Sequence, residues 1–416
     1  MGIVAVLPQD LRRATVKVFS RLRTARGQAD PAPYYAELAA AGPVSPAPWG
    51  GHLVTGFAEC DQVLRDKGWH EPDRAWRERQ GEGTRWTAPS SREMSHTLPT
   101  LNGAEHTRIR RAAGGFDRGS VEGLRPAVEA ATDRLLDDLH ARLRDGEAEF
   151  TSLVGEELPI ATIGHWLGLP SADWPRLREL THDQVFTQEL LPTASQLARS
   201  DAATVELRTY FTDLVRARRA HPGDDPVSRW IATWDTLEPD REEADRQVYH
   251  LARFVLLAAL ETTATLLSQA VLRLVERPRQ WAAVAAEPDL VPGAIEESLR
   301  FDPPTHVISR VAARDTVLAG RDIREGEMAH LMIGAAHHDP ARHADPATFD
   351  PRRAPGHLAF SGGVHYCLGA PLARMEAQIL LAGLTRRFPR LALVRPPSWA
   401  PRVAFRRLLK LDLALA

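Results

Sequence analysis

Apolar positions recur every three to four residues along most of the chain, which is the spacing of a helix face. The pattern predicts helices over 126–145 (PAVEAATDRLLDDLHARLRD), 203–220 (ATVELRTYFTDLVRARRA) and a long stretch at 243–276. Another helix begins near 290 and ends before Pro303 and Pro304, since proline cannot donate to the ladder and clashes with the preceding turn. The last helix, APLARMEAQILLAGLTRRF, covers 370–388. Strand-like segments are fewer. They are WGGHLVTG (49–56), a stretch between 307 and 332 broken by AGRD and REGE, and VAFRRLLKLDLAL (403–415). The fold class is therefore mainly α with a small β portion drawn from both ends of the chain. Such interleaving makes residues 1–416 one domain, with 1–30 as an N-terminal extension.

Residues 70–103 break the pattern. They are polar and irregular, and carry Trp76, Trp86, Pro89, Gly81 and Gly83. A loop of this length inside a compact domain is often a functional lid; surface mobility is the alternative.

Composition narrows the class. The chain has 416 residues, 44% of them hydrophobic and 25% charged, a globular profile with enough length for a deep core. Lys plus Arg is 52 and Asp plus Glu is 54, a net charge of −2 that argues against a nucleic-acid or membrane-surface binder. The N-terminus, MGIVAVLPQDLRR, lacks the basic region and apolar length of a signal peptide. The strongest apolar run, 254–260, is far short of the ~20 residues that span a bilayer. The expectation is a cytoplasmic protein.

Only two cysteines occur, Cys60 and Cys367, so neither a disulfide framework nor a multi-cysteine metal site is available. Cys367 stands in AFSGGVHYCLGAPLARMEAQIL, with glycines at 362, 363 and 369 and a helix immediately after. The N–H groups of that helix start stabilise a thiolate, and the glycines let backbone approach a bulky partner. The residues leave three readings open: a nucleophile, an axial ligand of heme iron, or a buried structural cysteine.

FSGGVHYCLGAPLAR resembles the heme-binding signature of the cytochrome P-450 superfamily, F-G-x-G-x-[HR]-x-C-x-G. Phe360, Gly363, His365, Cys367 and Gly369 match, and Ser361 stands where glycine is usual. Further motifs follow the family's order. Ala258-Ala259-Leu260-Glu261-Thr262 is similar to A-[AG]-x-[DE]-T in the helix over the heme, with Ala259 replacing the more frequent glycine. Glu297-Ser-Leu-Arg300 matches E-x-x-R, and Arg353 falls at the third member of that salt-bridged network. His106 and Arg110 match H-x-x-x-R, and Arg310 and His365 take the other positions that meet heme propionates. Fainter echoes at 31–66 and 218–232 extend the resemblance from about residue 30 to the C-terminus. Where the family often reads A-N-R-D, this chain has Ala336-His337-His338-Asp339; these histidines are expected at the surface or behind the site, not as metal ligands.

The resemblance implies a single-domain cytochrome P-450 fold. Heme b lies between the long helix and the cysteine loop with the last helix. Cys367 is the iron ligand, Glu261 and Thr262 are the catalytic pair that delivers protons to dioxygen, and Ala259 lies against the cofactor. Ala258, Thr305, Val307, Ile308 and Trp399, with the 70–100 loop, form the substrate pocket. The implied activity is a heme-thiolate monooxygenase that most often hydroxylates a small organic molecule in specialised metabolism. Oxidative coupling or epoxidation, direct use of peroxide, a cysteine hydrolase and a heme-free recruitment module are the alternatives. Electrons come from NAD(P)H through a ferredoxin and its reductase, which Arg108, Arg111 and Arg374 are expected to receive. A monomer is expected.

Overall fold

The 35-residue helix Arg241–Val275 runs through the molecule for roughly 52 Å, at 1.5 Å per residue. The computed structural model describes residues 9–82, 84–353 and 355–416; the first eight residues of the N-terminal extension, and Gly83, lie outside the described residues. Asp240 caps the helix by accepting the N–H groups of Glu242 (2.9 Å) and Glu243 (3.5 Å). From Val248 onward its residues are buried nearly all round, so it has no amphipathic face and can only be a core element. It is long and apolar enough to cross a membrane, yet 83% of that apolar window is buried inside the protein. The apolar stretch is thus much longer than 254–260, because Thr263, Thr265, Ser268 and Gln269 are buried among its leucines.

Helices Glu157–Trp166, Ala194–Ala220 and Pro226–Leu237 pack on the first half of the long helix, and Val291–Phe301 and Ala370–Arg387 on the second. Arg125–Arg144 lies outside Ala370–Arg387. Each fully buried leucine in these seams contributes roughly 1.5–3 kcal/mol. The helix expected at 203–220 starts earlier, at Ala194. Thr193 and Gln196 close a capping box there that the period of 3.6 does not reveal.

A five-stranded sheet is ordered Val44–Pro46, His52–Val54, Met328–Leu331, Ile308–Ala312, Trp69–His70. His52–Val54 pairs in parallel with Met328–Leu331, so residues near the two ends of the chain share one sheet, as the pattern predicted. AGRD is a tight hairpin turn: Ala319 and Gly320 both have positive φ (48° and 75°), the geometry that joins twisted strands without splaying them. The C-terminal run forms strands only at Leu408–Lys410 and Asp412–Leu415. Residues 403–405 instead fold back into the interior, their three N–H groups donating to the Glu189 carboxylate at 3.0–3.2 Å.

The 70–103 segment is not an irregular loop. It contains helices Arg74–Glu78 and Pro89–Met94 and single turns at Arg85–Thr87 and Leu98–Thr100. Trp76, Arg77, Ser90, Ser91 and Met94 are buried. The Trp76 indole donates to Gly326 O at 3.0 Å, and Asn102 ties the segment's two ends together through Glu71 N (2.9 Å) and O (3.1 Å). These helices are too short and too polar to show a period.

Candidate active site

One cavity of about 410 Å3 lies between the long helix and the cysteine loop. The loop is a tight hairpin in which Cys367 N donates to Phe360 O at 2.9 Å and Ser361 N to Leu358 O at 2.9 Å. Ser361 has φ +62°, a left-handed conformation that favours glycine. That strain explains why a glycine is usual there. Gly363 has φ +61°, and a Cβ on it would meet Leu64 O at 2.5 Å. It therefore serves close packing against the helix Phe57–Arg65 and does not line the cavity, contrary to the expectation that it contacts the cofactor.

Cys367 sits just before Ala370–Arg387 with its sulfur open to the cavity. Burial pushes its thiol up, while the backbone N–H groups of Gly369 and Ala370 and the guanidinium groups of Arg110 and Arg374 favour the thiolate. A Cβ at Gly369 would meet nothing within 4 Å, so backbone and open space meet at the cavity wall. Across the cavity the long helix presents Ala258, Ala259, Glu261 and Thr262. The Thr262 hydroxyl donates to Ala258 O at 2.8 Å, which leaves its oxygen free to accept from the cavity side.

Glu261 is buried and fully engaged. It ion-pairs with Arg402, meets His182 Nδ1 at 2.6 Å, and His182 in turn lies 3.4 Å from Glu156. Burial alone would raise the Glu261 carboxyl, but Arg402 and His182 overcome it and hold it down at about 2. Sequence reading found Glu261 and missed both partners, which lie 79 and 141 residues away.

Basic groups converge at one end. Arg310 is buried, donates to Ser309 O (2.9 Å) and pairs with Glu71 at 2.5 Å. Arg110 donates to Tyr366 O at 2.8 Å. The His106 and His365 rings lie 4.3 Å apart, and His106 Nε2 is buried with no partner. Behind the loop, Glu297 and Arg300 are wholly buried and bidentate at 2.8 Å. Arg353 joins Glu297 at 3.2 Å, and carbonyls of His337, Pro346 and Thr348 take the remaining Arg300 donors.

Thr305, Val307 and Ile308 line the cavity with Ala258, but Trp399 does not. Its ring is buried under Arg406 (3.9 Å) and Arg273 (5.9 Å) in the core behind the site. The wall also includes Arg77, Arg85, Trp86, Leu98, Phe254 and Phe405, which no motif marks. His337 is fully buried rather than superficial, accepting from Leu358 N at 2.8 Å, and His338 is half-buried, bonded to Gly334 O. Among the described residues no cluster of His, Cys, Asp or Glu could hold a metal ion. Of the three arginines expected to receive a redox partner, Arg108 is paired with Glu238 and Arg374 with Glu296. Only Arg111 is exposed without a pair among the described residues.

The arrangement defines a heme-thiolate site, and comparison with known proteins agrees. A model of the family described as cytochrome P450 matches residues 238–397. The cytochrome P450 monooxygenase PikC of Streptomyces venezuelae is 33% identical over 390 residues, covering 91% of this chain and 90% of that protein. The nocardicin C N-oxygenase of Nocardia uniformis is 33% identical, covering 84% and 85%. The crystal structure of P450BioI in complex with hexadec-9Z-enoic acid ligated acyl carrier protein superposes with a TM-score of 0.85 at 29% identity, covering 94% of this chain and 99% of that one. The chain belongs to the cytochrome P450 family. It is a monooxygenase that uses heme b and takes electrons from NAD(P)H through redox partners.

The residues present fit heme b. The group needs a thiolate donor, cations for two carboxylates and a flat apolar slot. The cavity offers one thiol, the two cations Arg110 and Arg310 beside His106 and His365, of which His106 keeps an orphaned buried nitrogen, and a glycine-floored slot facing Ala259. A cysteine hydrolase is not supported, because no side chain among the described residues bonds the Cys367 thiol as a base.

Proposed function

We propose that Cys367 ligates the heme iron, that His106, Arg110, Arg310 and His365 hold the propionates, and that Phe360, Ala259 and Gly369 flank the macrocycle. The observation that carries this reading is the facing pair, Cys367 at a helix start and the Thr262 hydroxyl, on one cavity with Arg110, Arg310, His106 and His365 gathered at one end. The heme supplies the redox chemistry by which one oxygen atom of O2 enters the substrate. The protein does the rest. Thr262 accepts a hydrogen bond from the cavity side, and Glu261, kept ionised and oriented by Arg402 and His182, is the fixed negative partner of that proton path on the same helix turn. Glu297, Arg300 and Arg353 act at a distance by fixing the backbone that carries the cysteine loop.

Hydroxylation of a small organic molecule, in specialised metabolism and in the bacterial cytoplasm, is the activity this supports best; PikC and the nocardicin N-oxygenase are the relatives that support it. The enzyme works as a monomer. A ferredoxin docks where Val364 and Tyr366 are exposed beside the cysteine loop, with Arg111 nearby. The test of the proton role is Thr262→Ala with a surrogate ferredoxin and reductase. Its heme spectrum should be unchanged and its product formation should fall about 100-fold, the lower end of general acid–base effects. Unchanged product yield per NADPH would overturn it.

A further inference from the structure

The segment 70–103 brings two cations to the cavity wall that the mechanism does not use. Arg85 and Arg77 both lie over Trp86, with guanidinium carbons 4.0 and 5.2 Å from its ring centroid. Trp76 meets Trp86 edge-on at 5.1 Å and 89°, and is itself fastened to Gly326 O. The aromatic platform is therefore held from several directions before any ligand arrives.

The partners of the two arginines are neutral. Arg77 donates to Pro72 O (2.6 Å) and to Ser91 Oγ (2.5 Å) and O (3.2 Å). Arg85 donates to the backbone carbonyl of Glu189. The carboxylate of that same residue is taken by the N–H groups of Val403, Ala404 and Phe405. Among the described residues neither arginine has a carboxylate within ion-pair distance, although ion pairs are plentiful elsewhere in the chain. Of the carboxylates that line the cavity, Glu71 already pairs with Arg310 and Glu261 with Arg402, and Glu376 is not within ion-pair distance of Arg77 or Arg85. Neither the Glu71–Arg310 pair nor a propionate on Arg310 supplies an anion to Arg77 or Arg85. A guanidinium held away from water without an anion is costly. Burial pushes both Arg77 and Arg85 down, but only to about 10, so both stay charged at neutral pH.

Much of the rest of the wall is apolar, Leu98, Phe254, Val307 and Ile308 among it. We propose that Arg85, steadied on Trp86 and backed by Arg77, binds the carboxylate of the substrate, so that the enzyme oxidises the apolar body of a carboxylic acid. This deepens, and rests on, the monooxygenase reading above.

The experiment uses the purified heme-loaded enzyme and three acids, 4-phenylbutyrate, dodecanoate and indole-3-acetate, each beside its methyl ester. Binding is read from the spin-state shift of the Soret band. At least one acid should bind about tenfold tighter than its ester, the scale of one charge-assisted hydrogen bond. Arg85→Gln should remove that preference by weakening the acid while leaving the ester within about twofold, and Arg85→Lys should restore part of it. Added salt should weaken the acid only. Equal binding of acid and ester by the wild type, including no shift with either, overturns the proposal, as does equal weakening of both by Arg85→Gln. A normal reduced-carbon-monoxide spectrum in each variant shows that heme binding is intact. Its absence in the wild type would instead overturn the underlying monooxygenase reading.

Discussion

Two sets of arginines drawn in from solvent, Arg300 and Arg77 buried and Arg85 half-buried, show what a charge inside this protein is for. Arg300 has a bidentate carboxylate and three backbone carbonyls, so its donors are spoken for. Arg85 and Arg77 reach carbonyls and a hydroxyl but no carboxylate. The first set needs nothing from outside and fixes the backbone behind the cysteine loop. The second is incomplete on the side that faces the cavity. A buried charge with a full set of partners is structural, whereas one left short is poised for a ligand.

The largest effect should come from breaking the complete set. Glu297→Ala strands Arg300 where its side chain has no exposure, which should cost about 3–5 kcal/mol of stability. Chemical denaturation of the heme-loaded enzyme measures it, and a loss of under about 1 kcal/mol would mean that the pair does not hold the loop. Next is Arg85→Gln, with its tenfold selective loss of acid binding. By contrast with Glu297→Ala it should move stability by less than about 1 kcal/mol, since it deletes a cation that no carboxylate compensates.

A third set lies between these extremes. His182 bridges Glu156 and Glu261, and although burial opposes its charged form, the two carboxylates raise it above its ordinary value. A raised histidine contributes its stability fully below the unfolded value near 6.5 and loses it as pH rises through the folded value. The stability deficit of His182→Gln should therefore be greatest below the unfolded value and shrink as pH rises above it, as read by thermal unfolding. A deficit that grows with pH would contradict the assignment. Smallest is Arg111→Glu, which should raise the apparent KM for ferredoxin a few-fold at low salt without altering heme content.

Much of this was legible in the sequence because the motifs are local. The cysteine loop, Glu261-Thr262 and the Glu297–Arg300 pair each occupy a few consecutive residues, and the strongly periodic helices were found within a few positions, save the one that begins at Ala194. What was missed is non-local or aperiodic. Nothing near Glu261 announces His182 or Arg402, because those contacts exist only once the chain is folded. The 70–103 segment looked like a loop because its helices are five and six residues long, with polar side chains that are buried all the same. Trp399 looked like a pocket residue from its place in the chain, but the strand Ser398–Trp399 turns its ring under Arg406. Arg108 and Arg374 looked like free surface cations until the fold brought Glu238 and Glu296 to them.

The central claim is that Cys367 is the thiolate ligand of a heme held in this cavity. The direct measurement is the absorbance spectrum of protein expressed with heme, reduced and exposed to carbon monoxide, for the wild type beside Cys367→Ala. A strongly red-shifted Soret band in the wild type, lost in Cys367→Ala, is the expected result. A wild type without that band, or a Cys367→Ala variant that keeps it, would contradict the account.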